Sequence, residues 1–136
     1  MFRLCLCTAL CGITAIVAHA EGEDQALTTA YDRLRGGLQE ELQILSAISD
    51  NATAKAAVGP LSKTLALLAQ RVEGVSDKEL WTYIDNTQDN KLPLIELVQK
   101  LTVQFERIEK AKFFGCHELR ETMLPQLRPN PDKTRD

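Results

Sequence analysis

Apolar residues in this chain recur at steps of three and four and nowhere alternate over a long run, which confines it to helices. Leu94, Val98, Leu101, Phe105 and Ile108 follow one another at steps of 4, 3, 4 and 3, so all five stack on one helical face. Leu27, Tyr31, Leu34, Leu38, Leu42, Leu45 and Ile48 form an earlier stripe of the same kind, with Gly36 and Gly37 weakening its middle by roughly 1 kcal/mol each. A second helix is expected from an N-cap at Asp50 or Asn51; it meets Gly59 and Pro60, then resumes with Leu61, Leu65, Leu68 and Val72 before Gly74. Ser76 and Glu79 have the spacing of a capping box, opening a short helix that carries Leu80, Trp81 and Ile84. Pro93 suits the first turn of the Leu94 helix, and a last short helix runs from Cys116 to about Met123. The predicted fold class is all-α: an antiparallel helical bundle of three to four long helices plus short ones.

The first twenty residues have a different character. Arg3 precedes an apolar run from Leu4 to Val17, and Ala18 and Ala20 give a small-x-small ending before Glu21, Glu23 and Asp24. That is the layout of a cleaved signal peptide, because the run of about 14 residues is shorter than the roughly 20 a membrane-spanning helix needs. The expected division is a signal peptide over 1–20, a helical bundle domain over 21–127 and a disordered tail over 128–136, where prolines and mixed charges crowd together. A secreted or periplasmic location follows, with no membrane span after cleavage.

Cleavage at that point removes Cys5, Cys7, Cys11 and His19, leaving Cys116 and His117 as the only thiol and imidazole. An internal disulfide framework is thereby excluded, while the odd cysteine leaves open a Cys116-linked dimer. The whole chain carries a formal charge of −3 and loses Arg3 with the signal, which argues against nucleic acid or an anionic membrane as partner.

Three motifs bear on chemistry. In "DNTQDNKLPLIE", Asp85, Thr87, Asp89, Lys91 and Glu96 occupy positions 1, 3, 5, 7 and 12 of a twelve-residue calcium loop. The stretch resembles the EF-hand family, which implies calcium held by those residues, with Trp81 and Leu97 on the flanking helices. Asn90 stands where that family has glycine, Pro93 offers no side-chain oxygen, and no second loop of the kind exists in the chain. The alternative reading is a polar turn handing one helix to the next.

The second motif is Cys116-His117 in "KFFGCHELR", the second half of a haem attachment pair with Phe113 in place of the first cysteine. Its position on the last helix resembles four-helix cytochromes of the c-prime type, which implies haem held through Cys116 and His117, without a second axial ligand. Zinc falls short of its three or four ligands within one chain. The third motif, "HELRE", lacks the second histidine of a zinc peptidase, and Glu40 with Glu41 and Glu106 with Glu109 read as solvated helix faces. No catalytic group is nominated. At "ISDNATAKAAVGPLSKTLALLAQ" the chain resembles small, uncharacterised secreted helical proteins of bacteria, which implies an exported helical protein and no activity. The expected function is therefore a non-enzymatic, exported interaction or envelope-associated module acting on a protein partner or on its own copy, with calcium binding and haem binding as alternatives.

Overall fold

The computed structural model describes residues 25–70 and 72–127. The signal segment and the tail expected from the sequence lie outside them. Five helices and no strand are found among the described residues, so the all-α reading holds. They are α1 (25–46), α2 (Asn51–Ala69), α3 (Asp77–Asp85), α4 (Gln88–Lys110) and α5 (His117–Leu127).

Side-chain caps set two of the helix starts. Asp50 accepts a hydrogen bond from the Thr53 N–H (2.7 Å), and the Thr53 hydroxyl oxygen accepts from the Asp50 and Ser49 N–H groups, so α2 opens on a reciprocal box. Ser76 and Glu79 form the predicted one at α3. The break expected at Gly59-Pro60 is absent, and α2 runs through both residues. Pro60 and Ala56 are exposed, so water can serve the Ala56 carbonyl that the proline leaves without an intrahelical donor.

α1 and α2 pack antiparallel, closely enough that a Cβ on Gly37 would meet Leu68 Cδ2 at 2.4 Å. The main core collects Leu45 and Ile48 from the first corner, Ala54, Ala57 and Leu61 from α2, Leu101 and Ile108 from α4, Phe113 and Cys116 from the turn after it, and Leu119 and Met123 from α5. A smaller cluster of Tyr31, Ile84 and Leu94 joins α1, α3 and α4 at the other end. Tyr31 also meets the Tyr83 ring edge to face at 6.2 Å.

Two residues assigned to the core by spacing lie elsewhere. Trp81 is 57% exposed and Val98 51%, while Leu97 is buried in place of Val98. Along α1 the stripe bends at Glu41, which is buried, leaving Leu42 only partly covered.

Candidate functional site

The residues aligned with a calcium loop fall on a tight helix junction. α3 ends at Asp85, and Asn86 and Thr87 are the only connection before α4 begins at Gln88, so Asp89, Lys91 and Glu96 all sit on helical backbone. A hand needs its oxygens to converge from a non-helical loop closed by the carboxylate at position 12. Here the Glu96 carboxylate takes the Lys100 ammonium at 2.6 Å, which holds it below the usual carboxylate range. Lys91, whose backbone carbonyl the loop would have used, instead places its ammonium 3.2 Å from Asp85. Of Asp85, Thr87, Asp89, Lys91 and Glu96, Asp85 and Lys91 form an ion pair while Glu96 pairs with Lys100, and no group of three or more His, Cys, Asp or Glu side chains among the described residues is placed to share an ion.

Helix α4 starts about a turn earlier than Pro93 suggested, because the Thr87 carbonyl already accepts from the N–H groups of Asn90 and Lys91. Pro93 then lies inside the helix and removes one donor. Beside it the Tyr31 hydroxyl donates to the Asn90 carbonyl at 2.8 Å, tying α1 to the altered turn.

Around Cys116 the backbone does something the sequence did not announce. Lys112, Phe113 and Phe114 have φ of 52°, 55° and 52°, and Gly115 follows at 72°, so the chain makes one turn of left-handed helix between α4 and α5. Three consecutive non-glycine residues in this region are disfavoured by roughly 1–2 kcal/mol each. Several contacts hold them there. The Phe113 ring is buried, the Arg107 guanidinium lies 5.9 Å from the centre of the Phe114 ring, and the Asn51 amide donates to the Phe114 carbonyl at 2.9 Å. Arg107 also donates to the Ile48 carbonyl at 2.7 Å and the Leu45 carbonyl at 2.9 Å, closing the C-terminal end of α1 from α4.

Cys116 is 2% exposed, its thiol directed at the Glu118 carboxylate at 3.5 Å. Glu118 is held low by its own backbone N–H and then by that thiol. His117 points outward, 3.9 Å from Glu121. Cys116 and His117, the pair read as a haem attachment, therefore diverge, and the thiol expected to link a dimer is enclosed. The cause is the left-handed turn, which buries Phe113 and Cys116 on one side and leaves His117 on the other.

Two buried polar side chains escaped the sequence reading. Glu41 is 2% exposed, and burial pushes its carboxyl above the usual range against a hydrogen bond from Gln126; its Oε1 has no hydrogen-bond partner among the described residues. The solvated-face reading of Glu41 is thus corrected. Thr64, 1% exposed, has a hydroxyl in the same position. Since Gly37 faces Leu68, one helical turn along each antiparallel chain brings Glu41 and Thr64 to the same level of the α1–α2 interface. Two adjoining clefts of about 360 and 340 Å³ open toward solvent along these helices and share Arg33, Leu67, Leu68 and Gln70.

The largest unexplained feature is the outer side of α4. Leu92 (59% exposed), Ile95 (41%), Val98 (51%) and Val103 (61%) stand in solvent outside the buried Leu94, Leu97, Leu101 and Ile108 face; Leu92 and Val103 lie on the far side of the helix, and Ile95 and Val98 step from there round to the edge of the core. Glu96 and Lys100 pair along one flank of this outer stripe. No described helix is long and apolar enough to cross a membrane.

No family model, curated protein or solved structure matches the chain. The functional reading rests on these surfaces.

Proposed function

We propose that this chain is an exported, non-enzymatic interaction module whose working surface is the outer face of α4. The observation that carries the reading is that Leu92, Ile95, Val98 and Val103 all stand in solvent on a helix that already buries Leu94, Leu97, Leu101 and Ile108. A helix with only one binding obligation keeps its outer face polar, and contiguous exposed apolar surface marks a site for a partner. The partner's chemistry follows from the flanks. Asp89, Glu96, Glu106 and Glu109 share α4 with Lys91, Lys100, Arg107 and Lys110, a balance unlike the cation-rich face of a helix that lies on anionic lipid. A protein helix offering its own apolar stripe, flanked by charges of both signs, fits this surface. Export rests on the residue pattern of positions 1–20.

A photoreactive residue at position 98, compared with one at the exposed Lys63 of α2, tests the surface in the protein's own host. One discrete protein adduct is expected from position 98, lost when Ile95→Glu is added and reproduced with the purified partner; position 63 should give none. Ile95→Glu should leave the melting temperature unchanged, because the side chain is exposed. Equal adducts from both positions, or none from position 98, would overturn the proposal.

A further inference from the structure

We propose that α5 is an exchangeable arm, and that two copies of this chain associate by trading α5 helices through the left-handed turn at Lys112–Gly115. α4 ends at Lys110 and α5 begins at His117, and the segment between them is the part of the described backbone furthest from what its residues prefer. If Lys112, Phe113, Phe114, Gly115 and the extended Cys116 (φ −91°, ψ 106°) take ordinary helical angles, α4 and α5 become one continuous helix and α5 leaves its place on α2. The vacated groove, lined by Ala54, Ala57 and Leu61, is already complementary to one occupant on the page: the Leu119 and Met123 side of α5. A second copy presents that same side. Two opened chains can therefore bury each other's arms with the native core contacts, and a short strained hinge is the feature that favours such exchange.

The holders of the turn set the balance. Asn51 donates to the Phe114 carbonyl, and the Arg107 guanidinium lies over the Phe114 ring. Both contacts belong to the closed arm alone, and both oppose the opening that the backbone strain favours.

Two substitutions move the hinge in opposite directions without touching the core. Gly115→Ala adds a side chain at φ 72°, where it meets Asn51 Nδ2 in ordinary contact at 3.7 Å but strains the backbone, and improves the straight helix. Lys112→Gly removes one exposed residue from the left-handed region and weakens the straight helix. Each change shifts one hinge by roughly tenfold, so about a hundredfold in the dimer dissociation constant, where two hinges open. The full chain, kept reduced and refolded at millimolar concentration, is followed by light scattering behind size exclusion. Dimer is expected in the wild type, enriched by Gly115→Ala and depleted by Lys112→Gly. In a mixture of differently labelled chains, nuclear Overhauser contacts from Met123 methyl protons to Leu61 methyl protons should appear between chains. Should Gly115→Ala fail to fold, Asn51→Ala replaces it, with dimer again expected to rise. A wild type that stays monomeric throughout, a dimer fraction indifferent to the hinge variants, or α5–α2 contacts found only within one chain would overturn the exchange.

Discussion

Replacing Glu41 by glutamine should make this protein more stable at neutral pH and change little in acid. The side chain is 2% exposed on a helix face it shares with Leu38 and Leu45, and Oε1 has no hydrogen-bond partner among the described residues. An unsatisfied buried polar atom costs roughly 1–3 kcal/mol, more when charged. Folding thus favours the neutral form, and burial raises the carboxyl above 4.5. The sign follows from linkage: below the unfolded value both states are protonated and no penalty exists. As pH rises from that value through the higher folded one, the penalty grows, and above it stays constant. Asp50 and Glu79 titrate the opposite way. Their carboxyls are lowered by the capping N–H groups of Thr53 and Ser76, so their contribution is lost as pH falls. Subtracting wild-type from variant stability at each pH cancels those groups and isolates Glu41. Glutamine keeps the shape of the side chain and carries no charge, so the cost of holding an ionised group in the core disappears. Urea unfolding at pH 7 should show a gain of about 1–2 kcal/mol, a rise of roughly 4–10 °C in melting temperature for a chain of this size, shrinking toward zero near pH 4. A difference that is absent, negative or independent of pH would refute the reasoning, since it would mean that Oε1, and not only the oxygen bonded to Gln126, is solvated or paired when the protein is folded.

Neighbouring glycines should respond with opposite signs. Gly36→Ala meets nothing within 4 Å and should stabilise by about 0.5–1 kcal/mol through helix propensity, whereas Gly37→Ala drives its Cβ into Leu68 and should lose about 1 kcal/mol or more, both read by thermal melts. Arg107→Met keeps an apolar stem of similar bulk but deletes the donors to the Leu45 and Ile48 carbonyls, with an expected loss of roughly 2–4 kcal/mol in denaturant unfolding. Equal stability in that variant would mean that water caps α1 as well as the guanidinium does.

Much of the fold is legible in the residues themselves. The Ser76–Glu79 box, the Asp50 cap and the three-and-four spacing were enough for helix type and number, because caps and periodicity act within a few residues of chain and need no partner. Local signals failed where two arrangements satisfy the same spacing. Leu97 and Val98 both continue the stripe from Leu94, and only the packing of α4 against the rest of the core puts Leu97 inside. "DNTQDNKLPLIE" has the oxygens of a calcium loop and also the residues of a helix junction, and continuous α4 backbone from Gln88 onward makes it the latter.

Sequence alone, then, determined that the chain is helical, where most helices begin, and that one thiol and one imidazole follow the N-terminal segment. Only the tertiary structure decided that Cys116 is enclosed, that Glu41 sits in the core and that α4 leaves Leu92, Ile95, Val98 and Val103 in solvent. The left-handed turn shows why. Nothing in Lys112, Phe113 and Phe114 favours positive φ; the backbone adopts it because Phe113 burial, the Arg107–Phe114 contact and the Asn51 hydrogen bond together outweigh the local preference. Asn51 reaches that turn from 63 residues away, and Arg107 is itself fixed by the Leu45 and Ile48 carbonyls about 60 residues earlier, distances over which residue spacing carries no information.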